Sequence, residues 1–113
     1  MNSFPKQHRL LAKPQFDRVF QKAKRVFFPE FLLLFRFNET EKARIGLAIS
    51  KKCVKKATER NRCKRLVRES FRLTSLPNVD IIFLSRRGLD QLSNAQLSDK
   101  LAIAWKKLEN SHR

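Results

Sequence analysis

Residues 78–85 place the strongest restriction on how this chain can fold. The segment contains an almost continuous apolar run, formed by Val79, Ile81, Ile82, Phe83 and Leu84. Such a run is typical of a β-strand that is covered on both faces. We therefore predict that this strand lies at the centre of a sheet.

Two further strands are predicted earlier in the chain. The apolar run over residues 26–37 is broken by a proline and a glutamate, and its second part is predicted to be a strand. Residues 44–50 alternate large aliphatic side chains with small or polar ones, which is the period of a strand with one buried face. Because only a short polar turn separates these strands, we expect them to form a hairpin.

Three helices are predicted from the spacing of apolar side chains. The first covers residues 14–24, and its apolar stripe comprises Phe16, Val19, Phe20 and Ala23. The second covers residues 58–74, which lack Gly and Pro, with Thr58 as its N-cap. The third follows a capping box formed by Ser93 and Gln96. Its core stripe comprises Leu97, Leu101, Ala104, Trp105 and Leu108.

The predicted order is therefore helix, strand, strand, helix, strand, helix, which indicates an α+β fold arranged as an α/β two-layer sandwich. A chain of 113 residues fits a single domain and buries roughly two thirds of its unfolded surface. Ten Phe residues and an apolar content of 42% provide a core. We expect residues 1–12 and 110–113 to be flexible ends.

The charge of the chain indicates a polyanionic partner. Lys and Arg number 26 against ten Asp and Glu, which gives a formal net charge of +16. Phosphate backbones are the commonest partner for such a surface. The longest apolar run, residues 31–35, is far shorter than the ~20 residues of a membrane span. Without a secretory signal either, the protein is expected in the cytoplasm, with no membrane partner.

Half of this excess charge lies in residues 51–72, which contain ten Lys or Arg and two Glu. On a helical projection, the apolar side of the second helix comprises Cys63, Leu66, Val67 and Phe71, and the opposite side comprises Asn61, Arg65, Arg68 and Arg72. This outer stripe contains no acid, and Glu69 and Arg62 lie together on its flank. Arginine and asparagine side chains reach phosphates, base edges and ribose hydroxyls, which favours folded RNA. A charged face without function is the alternative.

Four lysines lie between the second predicted strand and this helix: Lys51, Lys52, Lys55 and Lys56. Ser50 directly precedes them. Their ammonium groups and the first free amides of the helix can converge on phosphates. Lysines that only improve solubility are the alternative.

The sequence predicts no catalytic or metal site in the protein. Cys53 and Cys63 lie ten positions apart without a partner motif for zinc, and we interpret both as reduced thiols. The carboxylates are scattered and form no cluster suited to two metal ions. The isolated protein is therefore expected to be inactive.

The ordered sequence of residues 44–52, Arg-Ile-Gly-Leu-Ala-Ile-Ser-Lys-Lys, and of residues 59–72, which contain the triplet Arg60-Asn61-Arg62, resembles the bacterial ribonuclease P protein family. The match in pattern extends from Leu10 to Leu108. It implies a ribosomal-protein-S5-domain-2-like fold in which a parallel strand-helix-strand unit has a left-handed crossover, against the usual rule.

The resemblance also implies partners and a reaction. The partners are the ribonuclease P RNA subunit and the 5′ leader of precursor tRNA, and the reaction is endonucleolytic removal of that leader. The RNA and its magnesium ions carry out the chemistry, and no cofactor is bound by the protein alone, which is expected to be monomeric. The residues predicted to bind RNA are Lys51, Lys52, Lys55, Lys56, Arg60, Asn61, Arg62, Lys64, Arg65, Arg68 and Arg72.

By the same resemblance, the single-stranded leader occupies a cleft between the first helix and the sheet. Phe16 and Phe20 match the aromatic residues of the family's cleft, although packing in the core is the alternative role for both. Strand alternation supports a cleft independently, because Leu32, Leu34 and Arg36 share one face and small residues line the next strand. The predicted cleft residues are Phe16, Phe20, Leu32, Leu34, Arg36, Ala48 and Ser50.

Two other functions use the same basic helix. One is a structural, ribosomal-protein-like RNA-binding module without a leader cleft. The other is a DNA-binding helix, which is disfavoured because the chain shows neither a dimerisation motif nor the spacing of a base-reading helix.

Overall fold

The computed structural model describes residues 13–38 and 42–111. Its elements in chain order are α1 (Lys13–Gln21), β1 (Lys24–Phe27), β2 (Phe31–Phe37), β3 (Arg44–Ala48), α2 (Ala57–Leu73), β4 (Val79–Ser85), a short 3₁₀ helix (Leu89–Gln91) and α3 (Asn94–Asn110). The predicted α+β class is confirmed. Of the ends expected to be flexible, residues 1–12 and 112–113 lie outside the described part of the chain, and Asn110 is the last residue of α3.

The four strands form one sheet in the order β1-β2-β4-β3. β4 pairs antiparallel with β2 and parallel with β3, so the prediction of a central strand is confirmed. The predicted hairpin between β2 and β3 is wrong, because β4 lies between these strands. The backbone N–H and C=O groups on both edges of a buried strand such as β4 are hydrogen-bonded only if a strand lies on each side of it. The parallel pairing of β3 and β4 in turn requires a long crossover, which α2 supplies.

The edge strand β1 was not predicted from the sequence. It pairs antiparallel with β2, and the turn between them is closed by a hydrogen bond of 2.9 Å from Phe28 N to Phe31 O. Only Val26 is buried among its four residues. A strand with a single buried side chain shows no alternation that a sequence pattern could reveal.

The helices divide between the two faces of the sheet. Phe31, Leu33, Phe35, Ile81 and Phe83 project to the face covered by α2 and α3, which contribute Cys63, Val67, Phe71, Leu97, Leu101, Ala104, Trp105 and Leu108. On the opposite face, Val19 of α1 packs against Leu34 and Ile82 in a smaller cluster. The sheet and the pair α2 and α3 therefore form two layers, and the short helix α1 packs on the opposite face of the sheet. Part of that face stays uncovered.

The N-terminal caps of two helices were predicted from the sequence, one correctly and one not. The capping box of α3 is confirmed, since Gln96 N donates to Ser93 Oγ at 3.1 Å and Ser93 N donates to Gln96 Oε1 at 2.8 Å. The prediction of Thr58 as N-cap of α2 is wrong. Lys56 is the N-cap, with extended backbone angles, and its carbonyl accepts the first helical hydrogen bond from Arg60 N. The helix begins earlier because the Arg60 side chain also binds the preceding loop.

Candidate RNA-binding surfaces

The outer side of α2 is a basic face of exposed and half-buried side chains. Asn61, Arg65 and Arg72 are exposed, whereas Lys64 and Arg68 are half-buried. Cys63, Val67 and Phe71 are buried on the opposite side, and Leu66 packs against the same core. The predicted segregation of charged and apolar side chains along this helix is therefore present in the structure.

One acid reduces the charge of this face. Glu69 forms an ion pair with Arg72, and both side chains are about half exposed. Arg62 pairs instead with Glu59, at 2.9 Å between Nη2 and Oε1. The outer stripe itself contains no acid, in keeping with the helical projection, and the structure adds that Glu69 on its flank pairs with Arg72. Exposed pairs of this kind are weak, so Arg72 keeps most of its attraction for phosphate.

Arg62 binds across to the start of α3. Its Nη1 donates to Asn94 Oδ1 at 2.8 Å, its Nε donates to Glu59 Oε1 at 3.0 Å, and its Nη2 approaches the carbonyl oxygen of Asp90 at 3.4 Å. Five N–H donors are available to a guanidinium, and three of its nitrogens are engaged within the protein. Arg62 therefore fixes α2 against the segment that leads into α3.

Arg60 organises the loop that precedes its own helix. Its Nη1 donates to the carbonyl oxygens of Val54 and Lys55, both at 2.8 Å. Because Val54 is fully buried and Lys55 is exposed, these bonds hold the chain between a core anchor and the lysines at the helix start. The first and third residues of the basic triplet thus shape the surface that Asn61 and Arg65 present.

The four lysines of the loop are all exposed. Ser50 closes the loop, since its Oγ accepts from Cys53 N at 3.2 Å and its carbonyl accepts from Val54 N at 3.0 Å. Its own N–H donates to Ser85 Oγ at 2.9 Å, which ties the loop to the end of β4. No side chain of the described residues caps the start of α2. The exposed lysines and the start of α2 therefore lie at the same end of the sheet.

The predicted cleft residues share the α1 side of the sheet. The strand register aligns Leu32 and Leu34 of β2 with Leu84 and Ile82 of β4, and these with Ala48 and Gly46 of β3. Phe16 packs into the cluster around Leu34, whereas Phe20 is 50% exposed. Ala48 and Ser50 are exposed, although Ser50 lies just beyond the end of β3. The predicted residues of β2 and β3 therefore share the α1 side of the sheet, and Phe16 of α1 packs against it.

Arg36 connects the sheet to α1 through a hydrogen bond. Its Nη1 donates to the carbonyl oxygen of Arg18 in α1 at 3.0 Å, and the side chain is half-buried. A cation that binds a carbonyl in the last turns of a helix also interacts favourably with the helix dipole. Arg36 thus holds α1 on the sheet.

Asp80 was missed by the sequence analysis. It is the one acid in the apolar strand β4, and its carboxylate accepts from Arg44 Nε at 2.8 Å, from Arg44 Nη2 at 2.7 Å and from Asn38 Nδ2 at 2.7 Å. An acid inside a buried strand requires a cationic partner, and this requirement was the available signal. The pair joins β3 to β4 at the end of the sheet remote from the lysine loop.

Other chemistry is sparse in the described part of the chain. Both cysteines are free thiols, and burial raises the pKa of the Cys63 thiol from its usual value of 9.0. No group of three His, Cys, Asp or Glu residues is placed to hold a metal ion in residues 13–38 and 42–111. None of the helices in these ranges is long and apolar enough to cross a membrane.

Comparison with known proteins decides the family. The family model for Ribonuclease P matches residues 4–109. The chain belongs to the ribonuclease P protein family. The ribonuclease P protein component of Legionella pneumophila (strain Corby) is 50% identical over 99% of this chain and 98% of its own length. The corresponding protein of Pseudoalteromonas atlantica is 48% identical over 95% and 91%.

Solved structures of ribonuclease P proteins share the fold. The protein from Staphylococcus aureus superposes with a TM-score of 0.83 at 27% identity, covering 90% of this chain and 95% of that one. The protein from Thermotoga maritima gives a TM-score of 0.77 at 30% identity, covering 88% and 96%. The sheet and the helices described above are therefore those of a ribonuclease P protein, in agreement with the resemblance carried by the basic helix.

Proposed function

We propose that this protein holds the ribonuclease P RNA subunit on the basic face of α2 and the 5′ leader of precursor tRNA on the α1 side of the sheet. As a member of the family, the chain is the protein component of ribonuclease P. One observation supports the division of labour: α2 and α1 pack on opposite faces of the same four-stranded sheet. Two RNA segments can therefore be bound at once, and we place this work in the cytoplasm.

The RNA subunit is held chiefly by exposed cations. Arg65, Arg72 and the four loop lysines supply charge for phosphates, and Asn61 adds donor and acceptor atoms for base edges and ribose. Arg60 and Arg62 act mainly by fixing the backbone that presents these groups, as their contacts with Val54 and Asn94 indicate. Rigid presentation reduces the entropy lost when RNA binds.

The leader is held by stacking of its bases on an aromatic ring, and small side chains leave room for them. Phe20 presents half of its surface to solvent, and Ala48 is an exposed small residue on the α1 side of the sheet that leaves room for a nucleotide. Stacking of a base on an aromatic ring contributes about 1–3 kcal/mol and tolerates any sequence. Such tolerance suits a protein that meets leaders of many sequences.

Catalysis in this proposal belongs to the RNA subunit. Within residues 13–38 and 42–111 no three His, Cys, Asp or Glu side chains are grouped to hold a magnesium ion, and five carboxylates there form ion pairs with Lys or Arg. We assign the magnesium ions of the holoenzyme to the RNA, and the protein contributes binding and orientation.

The test is cleavage of precursor tRNA at low magnesium by ribonuclease P RNA, with and without the protein. Stimulated cleavage at the mature 5′ end is the expected result. Arg65→Ala should weaken assembly with the RNA subunit, whereas Phe20→Ala should leave assembly intact and weaken binding of substrates that carry a leader. If the two surfaces are independent, one variant should affect only assembly and the other only leader binding.

A different pattern would support the structural RNA-binding module instead. In that case the protein binds RNA tightly and with strong salt dependence, yet neither stimulates cleavage nor distinguishes a precursor from a mature tRNA. Phe20→Ala would then have no effect on any RNA, because no leader cleft exists in such a module.

A further inference from the structure

A row of side chains continues the leader cleft to the edge of the sheet. On the α1 side, the register aligns Ala48 of β3 with Leu84 of β4, Leu84 with Leu32 of β2, and Leu32 with Phe27 of β1. With strands about 4.8 Å apart, the row is about 14 Å long. Ala48 and Phe27 are exposed at its two ends, and the two leucines between them are half-buried. The apolar floor therefore extends beyond the predicted cleft residues as far as the edge strand.

Phe27 at the far end of this row is 59% exposed and carries an arginine on its ring. The Arg86 guanidinium carbon lies 4.8 Å from the ring centroid. Its Nε donates to Pro29 O at 3.3 Å, and the backbone N–H of the same residue donates to Glu30 O at 3.0 Å. Among the described residues, the terminal amino groups of Arg86 have no hydrogen-bond or ion-pair partner. The guanidinium is thus fixed in place with its two amino groups free for an anion.

The surroundings of the pair are basic. Arg25 projects to the same side of β1, and Arg87 follows directly in the chain; both are exposed. Glu30, three residues after Phe27, is paired with Lys100 of α3 at 3.3 Å. A solvent-exposed aromatic ring next to free guanidinium groups offers stacking to a base and charge to its phosphate. Single-stranded RNA supplies both partners in every nucleotide.

We propose that Phe27 and Arg86 form a distal stacking platform for the leader of precursor tRNA. The proposal rests on the leader cleft proposed above and adds an end to it. The lysine loop and α2, which hold the RNA subunit, adjoin the Ala48 end of the row. Phe27 lies at the opposite end of the row and therefore binds nucleotides farther from the RNA subunit than those beside Ala48.

The experiment uses the reconstituted holoenzyme and precursor tRNAs whose leaders are shortened one nucleotide at a time. Phe27→Ala should weaken binding about tenfold for long leaders, which corresponds to the loss of one stacked base. The effect should vanish below a defined leader length. Phe27→Trp should retain the affinity, and Phe27→Leu, which keeps an apolar side chain in the strand, should lose it. Ile103→Ala removes a similarly exposed apolar residue from α3 and should behave as the unmodified protein.

A fluorescent base analogue placed at successive leader positions locates the contact directly. Fluorescence should be quenched at one distal position and restored by Phe27→Ala. Equal loss of affinity for leaderless tRNA would overturn the platform, since it would show a general structural defect. No effect of Phe27→Ala at any length, together with a loss in Phe20→Ala, would overturn the platform and leave the cleft standing. No effect from either variant would remove both proposals.

Discussion

Arg44 and Asp80 form a two-bonded ion pair between neighbouring parallel strands, with Nη2 and Oδ2 2.7 Å apart. The Asp80 side chain is 4% exposed and that of Arg44 is 18% exposed, so the pair is largely removed from water. Removing one partner leaves the other charge without compensation, which costs more than the intact pair contributes.

Asp80→Ala should therefore lower the free energy of unfolding by on the order of 3 kcal/mol. Urea denaturation followed by far-ultraviolet circular dichroism measures the change. Asp99→Ala, which removes an exposed acid from α3, is the matched control and should change stability by less than ~0.5 kcal/mol. Equal stability of the two variants would show that the buried pair does not stabilise the sheet.

Arg65→Ala should weaken binding to the RNA subunit and reduce its salt dependence. Arg65 is exposed on the outer side of α2, and each phosphate contact contributes about one unit to the slope of log K against log salt concentration. Filter binding across a salt series gives the slope. Lys106→Ala removes an exposed cation from α3 and should leave it unchanged. An unaltered slope in Arg65→Ala would place the RNA interface on another surface.

Arg62→Ala should act on stability instead of on the salt slope. The side chain bridges Glu59 and Asn94, so its loss removes the hydrogen bonds that connect α2 to the start of α3. We expect a loss of about 1–2 kcal/mol in the free energy of unfolding. RNA binding measured well below the unfolding transition should keep its salt slope. A reduced slope at unchanged stability would instead identify Arg62 as a phosphate contact.

Alkylation should distinguish the two cysteines. Cys63 is fully buried, and burial raises the pKa of its thiol, so the reactive thiolate is both rare and inaccessible. Cys53 is half-buried and should react first with iodoacetamide in the folded protein. Mass spectrometry should show one modification in the native state and two in urea. Cys53→Ser is the control and should remain unmodified until it unfolds.

The same thiol predicts a loss of stability at alkaline pH. The folded state keeps the Cys63 proton at pH values where the thiol of the unfolded chain loses it. The contribution of this group to the free energy of unfolding is therefore fully present below pH 9.0. Its contribution declines as the pH rises above that value. Urea denaturation on both sides of pH 9.0 should show a decline that is smaller in Cys63→Ala. An equal decline in both proteins would assign the effect to other groups.

The elements that the sequence predicted well are those with a strong local pattern. The capping box of α3, the two-sided division of α2 and the apolar run of β4 each depend on residues within a few positions of one another. The partner of a strand is not encoded in this way. The prediction that β2 pairs with β3 failed because the intervening strand comes from residues about forty positions farther along.

The candidate site divides along the same line. A helical projection places Arg65 in the outer stripe of α2 and Arg62 on its flank, but it cannot show that Arg62 meets Asn94, 32 residues away. The Phe27–Arg86 contact likewise joins the edge strand to the residue that follows β4. Residue types and spacing therefore identified the basic surface, whereas the roles of individual arginines depended on long-range contacts.

The central position of β4 has a consequence for the newly made chain. During synthesis from the N-terminus, the β1–β2 pair is the only part of the sheet that can form until residue 85 has left the ribosome, because β3 joins the sheet only through β4. β2 then exposes one unpaired edge and an apolar face, a combination that promotes aggregation. The basic helix α2 emerges just before β4, at a time when the sheet that supports it does not yet exist. We expect the basic face of α2 to reach its final position abruptly, once the last strand inserts between its two neighbours.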